Sequence, residues 1–237
     1  MRISIQYEDK HIIVIYKPAG LATQTAKIGQ PDVVSELKNH LKGGYVGVVH
    51  RLDQPVEGLL VFGKTKEATA ALSAQLSQGI LNKHYQAVIC GQPQAMEGTL
   101  VDYLIKTPDN RAQVVEMLAG RDITAGNCKG NGKDKARDNA PKKAVLNYRI
   151  VRNSSENVFL ADIHIETGRF HQIRVQMAHA GMPLLGDAKY GTEQSGELSR
   201  KLGVRTVALC ACEIVLKHPV SGEELSFQTE PKGTIFG

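Results

Sequence analysis

Three short polar stretches concentrate the side chains able to do chemistry. The first is His50-Arg51-Leu52-Asp53, entered from the apolar run Tyr45 to Val49 and left through Leu59 to Phe62. A histidine, an arginine and an aspartate thus stand at a connection between two expected strands, punctuated by Pro55 and Gly58. The second is Lys83-His84-Tyr85, where a tyrosine opens a strand, and the third runs Gly168-Arg169-Phe170-His171-Gln172-Ile173-Arg174, extended to His179 and Asp187. His171 and Arg174 are three apart and can point the same way from the first turn of a helix. Arginine offers a fixed fork of donors suited to a carboxylate or phosphate. If Arg174 faces Asp53 across a cleft, the pair keeps the aspartate ionised even when partly buried. Such a carboxylate suits nucleophilic or electrostatic catalysis at a sugar carbon. The competing readings are a capped polar turn at Asp53 and an ion pair that merely ties two elements together. Glycoside hydrolysis usually takes two carboxylates. Glu57 is close to Asp53 in sequence, yet nothing fixes an acid and base pair, so a one-carboxylate reaction is the better match. Histidines 50, 84, 171 and 179 have no metal-ligand spacing, and no metal is expected.

These stretches need a scaffold. Ile12 to Tyr16 reads as a strand followed by a Lys17-Pro18-Ala19-Gly20 turn. Pro31 to Leu41 carries Val33, Val34, Leu37 and Leu41 at helical spacing, with Pro31 suited to the first turn. Lys66 to Gln78 reads as a second helix, with Thr65 as cap and Gly79 as stop. Strands are expected at Tyr85 to Cys90, Thr99 to Ile105, Ala112 to Leu118, Ala144 to Val151 and Val158 to Ile165. In the last, Phe159, Ala161, Ile163 and Ile165 are expected to face the core, with Val158, Leu160, Asp162 and His164 on the other side. Gln172 to Ala180 is helix-like, Glu193 to Leu202 a soft helical or loop region, and Val207 to Leu216 with Glu224 to Thr229 a closing hairpin. Many strands and few helices in no regular alternation predict an α+β fold with a mixed, largely antiparallel sheet, not a doubly wound nucleotide fold. No internal repeat, dinucleotide fingerprint or phosphate-binding loop is present.

Length and composition set the frame. At 237 residues, 42% hydrophobic and 22% charged, the chain reads as one globular domain in two lobes, neither disordered nor fibrous. No apolar stretch reaches membrane-spanning length and the start lacks signal-peptide character, so a cytoplasmic protein is expected. Cys90, Cys128, Cys210 and Cys212 show no zinc-ribbon spacing, and Cys210 and Cys212 read as core residues sharing a strand face. Much of the net charge of +5 lies between Arg121 and Lys143, where seven basic residues meet three acidic ones. That excess suits a polyanionic partner. Within it, residues 126–141 read as an exposed basic loop.

Taken together, the motifs resemble the RluA-type bacterial pseudouridine synthases over nearly the whole chain. The resemblance rests on Glu8-Asp9, Lys17-Pro18-Ala19-Gly20, Val49-His50-Arg51-Leu52-Asp53, Gly58-Leu59-Leu60-Val61-Phe62, Lys64-Thr65 and Lys83-His84-Tyr85. It continues through Gly168 to Val175, in the pattern Gly-Arg-x-His-Gln-Ile-Arg, then Gly186-Asp187-Ala188-Lys189-Tyr190-Gly191 and His218-Pro219. It implies a pseudouridine synthase fold, a central mixed sheet split by a catalytic cleft, and isomerisation of a uridine within RNA without metal or organic cofactor. It further implies that Asp53 is the catalytic aspartate, acting by attack on the ribose C1′ or by another route. Tyr85 matches a tyrosine that packs on the base and suits removal of the C5 proton. Arg174 matches the basic partner of the aspartate, and Arg51 an arginine that helps replace the flipped base. His50, Arg169, His171 and Gln172 are further candidates for RNA or base contact, with Lys83 and Asp187 as secondary ones. The base must leave its stack before the bond can be reached, and RNA of this kind is read by shape and splayed bases.

Two departures from the family pattern stand out. Val56-Glu57-Gly58 replaces the common Thr-Ser-Gly, placing a negative charge where a hydroxyl is expected. Glu57 is therefore expected to repel phosphate, to bond Arg51, or to shape a different target pocket. The 126–141 loop is also long. An N-terminal S4-type domain is not expected, because the catalytic domain begins near Met1. Ribosomal or transfer RNA is the expected partner of a monomer. The rival readings are a non-catalytic RNA-binding or RNA-folding protein of the same fold and, more distantly, a nucleoside or glycoside hydrolase.

Overall fold

The computed structural model describes residues 2–25, 29–116, 140–155 and 157–236; most of the expected basic loop lies outside them. The chain runs β1 (Ser4–Glu8), β2 (Ile12–Lys17), α1 (Val33–His40), β3 (Gly47–Val48), β4 (Glu57–Gly63), α2 (Lys66–Ser77) and β5 (Asn82–Cys90). Then follow β6 (Glu97–Lys106), β7 (Ala112–Val115), β8 (Lys142–Ser155), β9 (Val158–Ile165), α3 (Gln172–His179), α4 (Glu193–Lys201), β10 (Leu209–Lys217) and β11 (Glu224–Gln228). All strands join one sheet in the order β1-β2-β4-β10-β5-β9-β8-β6-β7, with β3 added to β4 and β11 to β10. Among these pairings only β4 with β10 is parallel. The expected mixed, mostly antiparallel sheet with attached helices is what forms.

The apolar runs explain the layering. β2 and β4 are buried on both faces, so they read as continuous hydrophobic stretches rather than alternations. Ile13, Ile15, Leu60 and Phe62 pack with Val33, Val34 and Leu37 of α1 and with Ile173 and Met177 of α3. Ile12, Val14, Leu59 and Val61 point the other way, beneath Ala68 and Leu72 of α2. Caps set the helix starts. Thr65 accepts from Ala68 N at 3.1 Å, as its type suggests. Asp32, not Pro31, caps α1 by accepting from Ser35 N at 2.7 Å, so the proline precedes the first turn. The soft stretch before Leu202 is a full helix, closed by a reciprocal cap between Thr192 and Ser195.

Two expectations need correcting. β1 has no counterpart in the sequence reading; it is an edge strand with an irregular register and alternating partial exposure. On β9, Val158 and Leu160 are buried too, because Phe236 and Leu185 pack over that face beside Val88 and Cys90 of β5 and Cys210 of β10. Asp162 and His164, further along, stay half-exposed.

Candidate active site

The connection from β3 to β4 carries Asp53, which lines a cavity of about 750 Å³. A tight turn from Asp53 O to Val56 N, 3.0 Å, ends the connection. Strand pairing anchors both of its sides, with Val48 opposite Phe62. Hydrogen bonds to residues 17–23 hold its middle. Thr23 Oγ1 donates to Leu52 O at 2.9 Å, Gly20 N to Gln54 O at 2.8 Å, and the buried Lys17 ammonium to Pro18, Leu21 and Gln54 carbonyls. Burial lowers the Lys17 pKa to about 8, partly offset by the Asp53 and Glu57 charges. The sequence reading treats Lys17 only as part of a turn; nothing local reveals its burial.

Arg174 is the hub. It stands in the first turn of α3, buried, and divides its guanidinium between two carboxylates. Nε and Nη2 donate to Asp187 at 2.7 and 2.8 Å, and Nη1 donates to Asp53 Oδ2 at 3.1 Å. Asp187 also accepts from the amides of Lys189 and Tyr190. Burial alone would raise the Asp187 pKa, but the guanidinium and these amides outweigh it and hold the carboxyl below its ordinary range. Two of Arg174's five donors are therefore committed to orientation, and the outer nitrogen is aimed at Asp53.

His171 approaches the same carboxylate, its Nε2 3.7 Å from Asp53 Oδ2. It caps α3 with a left-handed backbone, φ 53°. Tyr190, to which the sequence reading gives no role, sets its protonation. The tyrosine oxygen accepts from Ala112 N at 2.6 Å and lies 2.6 Å from His171 Nδ1. Its own proton then goes to Nδ1, which leaves the imidazole proton on Nε2, facing Asp53. Burial depresses the His171 pKa to about 4, against the pull of Asp53, so the ring is neutral.

Tyr85, on β5, is buried and lines the cavity, with no hydrogen-bond partner for its hydroxyl among the described residues. Burial, and then the Asp53 charge, push its pKa up, so the phenol stays protonated. Lys83 and His50 share the cavity's inner wall. His50 Nε2 accepts from Val61 N at 3.3 Å, and its Nδ1 is buried without a partner. Burial holds the His50 pKa well below its ordinary value. Lys83 makes no ion pair among the described residues, and burial lowers its pKa to about 8. Arg51 and Arg169 are exposed at the rim. The first reaches Gln24 Oε1 at 3.3 Å, and the second donates from Nε to Lys143 O at 3.0 Å.

Two candidates are turned inward. The buried Gln172 amide accepts from Thr167 Oγ1 and Arg169 N and donates to Val145 O, which clasps the turn before α3 onto β8. Glu57 lies outside the cavity lining. Its carboxylate accepts from the Tyr16 hydroxyl and from the amides of Lys232 and Gly233, both at 3.2 Å, and makes no bond to Arg51. The next residue lets β4 and β10 approach. A Cβ on Gly58 (φ +124°) would stand 2.4 Å from Ala211 O, so only glycine lets β4 close against β10 here. Among the described residues no group of three or more His, Cys, Asp or Glu side chains is placed to hold a metal ion.

The comparisons with known proteins agree with this architecture. Residues 11–179 match the family model described as RNA pseudouridylate synthase. A ribosomal large subunit pseudouridine synthase D from Zymomonas mobilis is 33% identical, aligned over 96% of this chain and 69% of its own. A tRNA pseudouridine synthase C from Yersinia pestis is 29% identical over 94% of this chain and 84% of its own. Among solved structures, human RNA pseudouridylate synthase domain containing 4 superposes with a TM-score of 0.71 at 22% identity, covering 97% of this chain and 89% of that one. That likeness speaks to the fold. With the family model spanning β2 to α3, the chain belongs to the RNA pseudouridylate synthase family, the enzymes that isomerise uridine in RNA to pseudouridine.

Proposed function

We propose that this chain isomerises one or more uridines of ribosomal or transfer RNA, with Asp53 as the catalytic carboxylate acting on a flipped-out nucleotide. The observation that carries the reading is the Asp53 carboxylate, one quarter exposed at the cavity and held at 3.1 Å by an arginine whose other donors are fixed by Asp187. The curated relatives above are named for ribosomal and transfer RNA, which supports both RNA classes as substrates.

The chemistry follows from the groups present. The N1–C1′ bond breaks, the uracil turns within the cavity, C5 bonds to C1′, and the C5 proton is lost while N1 gains one. Asp53 stabilises C1′ by attack or by its charge; Arg174 keeps that charge available in a site that expels water. Tyr85 packs against the base. Because its phenol is protonated, it takes up the C5 proton only as its own proton passes on to N1, the atom that gains one in the reaction. Neutral His171 faces Asp53 from 3.7 Å and adds no charge to compete with Arg174. The exposed Arg51 and Arg169 hold phosphate at the rim.

Pseudouridine mapped across total RNA, from cells with and without the gene, tests the reading. Wild type is expected to restore sites that the deletion removes, and Asp53→Asn to restore none. Equal restoration by both proteins overturns the assignment of Asp53.

A further inference from the structure

Phe170 occupies the one unspecified position of the Gly-Arg-x-His-Gln-Ile-Arg stretch, and the site described so far gives it no task. It lines the same cavity as Asp53 yet is 39% exposed. A phenylalanine contributes little to folding from such a position, because much of its apolar area stays in water. Its ring is nevertheless well held. It stacks on His171 with centroids 3.7 Å apart and planes inclined by 22°. His171 in turn is fixed by Tyr190 and faces Asp53. His171 covers one face of the ring and the Lys106 ammonium lies over the other, 4.8 Å from the centroid. Lys106 is an exposed side chain that an entering base displaces, and the exposed Lys142, Lys143 and Arg169 lie along the neighbouring strand and turn. An exposed flat ring with a lysine over it and further exposed cations nearby, tied through one histidine to Asp53, is the arrangement that single-stranded nucleic acid uses. Bases stack on the ring regardless of sequence, while the cations take the phosphates.

We propose that Phe170 is a stacking platform for the unpaired base adjacent to the target uridine, with Lys106 and Arg169 taking that nucleotide's phosphate. The inference rests on the reading of Asp53 as the catalytic carboxylate, because the target's C1′ must then lie there and its neighbour at the rim. The platform makes an unpaired neighbour, whatever its base, part of recognition along with the uridine itself. It also resists the target's return to its stack, since the neighbour is already occupied.

The test uses a stem-loop RNA whose loop carries a uridine mapped by the gene-deletion experiment. It is compared with versions in which each other loop nucleotide in turn lacks its base. Binding is followed by fluorescence anisotropy and turnover by pseudouridine formation. Phe170→Leu keeps an apolar cover over His171 but has no π face, and Phe170→Trp enlarges it. The expected result is that Phe170→Leu binds the intact loop roughly 5- to 150-fold more weakly, as loss of one base stack implies, while Phe170→Trp binds at least as well as wild type. One abasic position next to the uridine should weaken wild type by a similar factor and Phe170→Leu hardly at all, a coupling that isolates the contact. Three results overturn the proposal: wild-type binding by Phe170→Leu, a loss by Phe170→Leu of equal size with every abasic loop, or a loss by Phe170→Trp as large as that by Phe170→Leu. The reading of Asp53 is judged separately by Asp53→Asn, which leaves Phe170 in place. If Asp53→Asn still forms pseudouridine, that reading fails whatever the binding data show.

Discussion

Arg174 can serve Asp53 only because Asp187 holds its other side, and replacing Asp187 by asparagine puts that dependence to the test. Asp187 presents one oxygen each to Nε and Nη2, and its Oδ1 also accepts two backbone amides. Asparagine keeps one oxygen. If that oxygen stays with the amides, the new NH2 faces Nε, donor against donor; if the group flips, two amides lose their acceptor. Removing one partner from a buried ion pair costs about 3–5 kcal/mol. Asp53 remains as a second partner, so the low end, about 3 kcal/mol, applies here. For a chain of this size each kcal/mol lowers the melting temperature by about 2–4 °C, which predicts a fall of about 6–12 °C by calorimetry near neutral pH. The guanidinium loses its anchor as well. A displacement of about 1 Å at Nη1 should slow single-turnover pseudouridine formation about 10²-fold at a temperature where both proteins are folded. The pH dependence gives a second reading. The folded Asp187 pKa is depressed, so its contribution is present above the unfolded value of about 3.9 and is lost as pH falls through the lower folded value. The gap between wild type and Asp187→Asn should close only in that acid range. A melting temperature within about 2 °C of wild type, with unchanged turnover, would refute the account of Arg174 as a guanidinium divided between two carboxylates.

Other groups make sharper, smaller tests. His171 is neutral in the fold, with its pKa lowered to about 4. Its contribution is complete above the unfolded value of about 6.5 and fades as pH falls toward 4. Denaturant titrations at several pH values should therefore show a shallower acid loss in His171→Gln, with the slope from the similarly depressed His50 remaining; an unchanged slope counts against a neutral His171. Lys83 is a buried cation with no ion pair among the described residues, its pKa lowered to about 8 by burial. Lys83→Met should raise stability by roughly 1–3 kcal/mol and weaken RNA binding with a flatter salt dependence. Lower stability with unaltered binding contradicts this. Glu57→Ser removes the acceptor for Tyr16 and two amides near the C-terminal turn, and should cost about 1–3 kcal/mol while leaving pseudouridine formation near wild type. Hydrogen exchange at Lys232 and Gly233 should rise; lost activity without faster exchange would instead implicate Glu57 in the cavity.

Much of this was legible where the signal is local. The double-sided apolar runs of β2 and β4, the Thr65 cap and the turn around Asp53 are read from neighbours in sequence, and the structure places them there. What the sequence hides depends on distant partners. Glu57 is held away from the cavity by Tyr16 and by the amides of Lys232 and Gly233, the latter two 175 and 176 residues further along the chain. The burial of Val158 and Leu160 depends on Phe236 folding back over them. Asp187 could be suspected as a polar turn residue, but its grip on Arg174 requires α3 and that turn to be packed together. Tyr190 is the clearest case. Its hydroxyl matters because an amide from β7 and a histidine from α3 meet there, and no spacing within the chain encodes that meeting.

The arrangement of charge answers a difficulty that any such site must meet. RNA is a polyanion, and a catalytic carboxylate repels the backbone that must bring the uridine to it. Here the repulsion is handled by depth. The rim carries Arg51, Arg169 and Lys106, exposed and able to bind phosphate. Asp53 lies further in, with Arg174 beside it and the second carboxylate, Asp187, behind that guanidinium and buried. From the mouth, a phosphate meets cations before it meets an anion. From within, Asp53 sees one cation whose geometry is already fixed, and in the role proposed for it the carboxylate would need little reorganisation when charge changes at the sugar. Neutral histidines preserve this balance. A protonated His171 would compete with Arg174 for Asp53 and add a second positive charge beside it. Burial keeps the ring neutral and the hydrogen bond with Tyr190 orients it, so Asp53 stays tied to a single guanidinium.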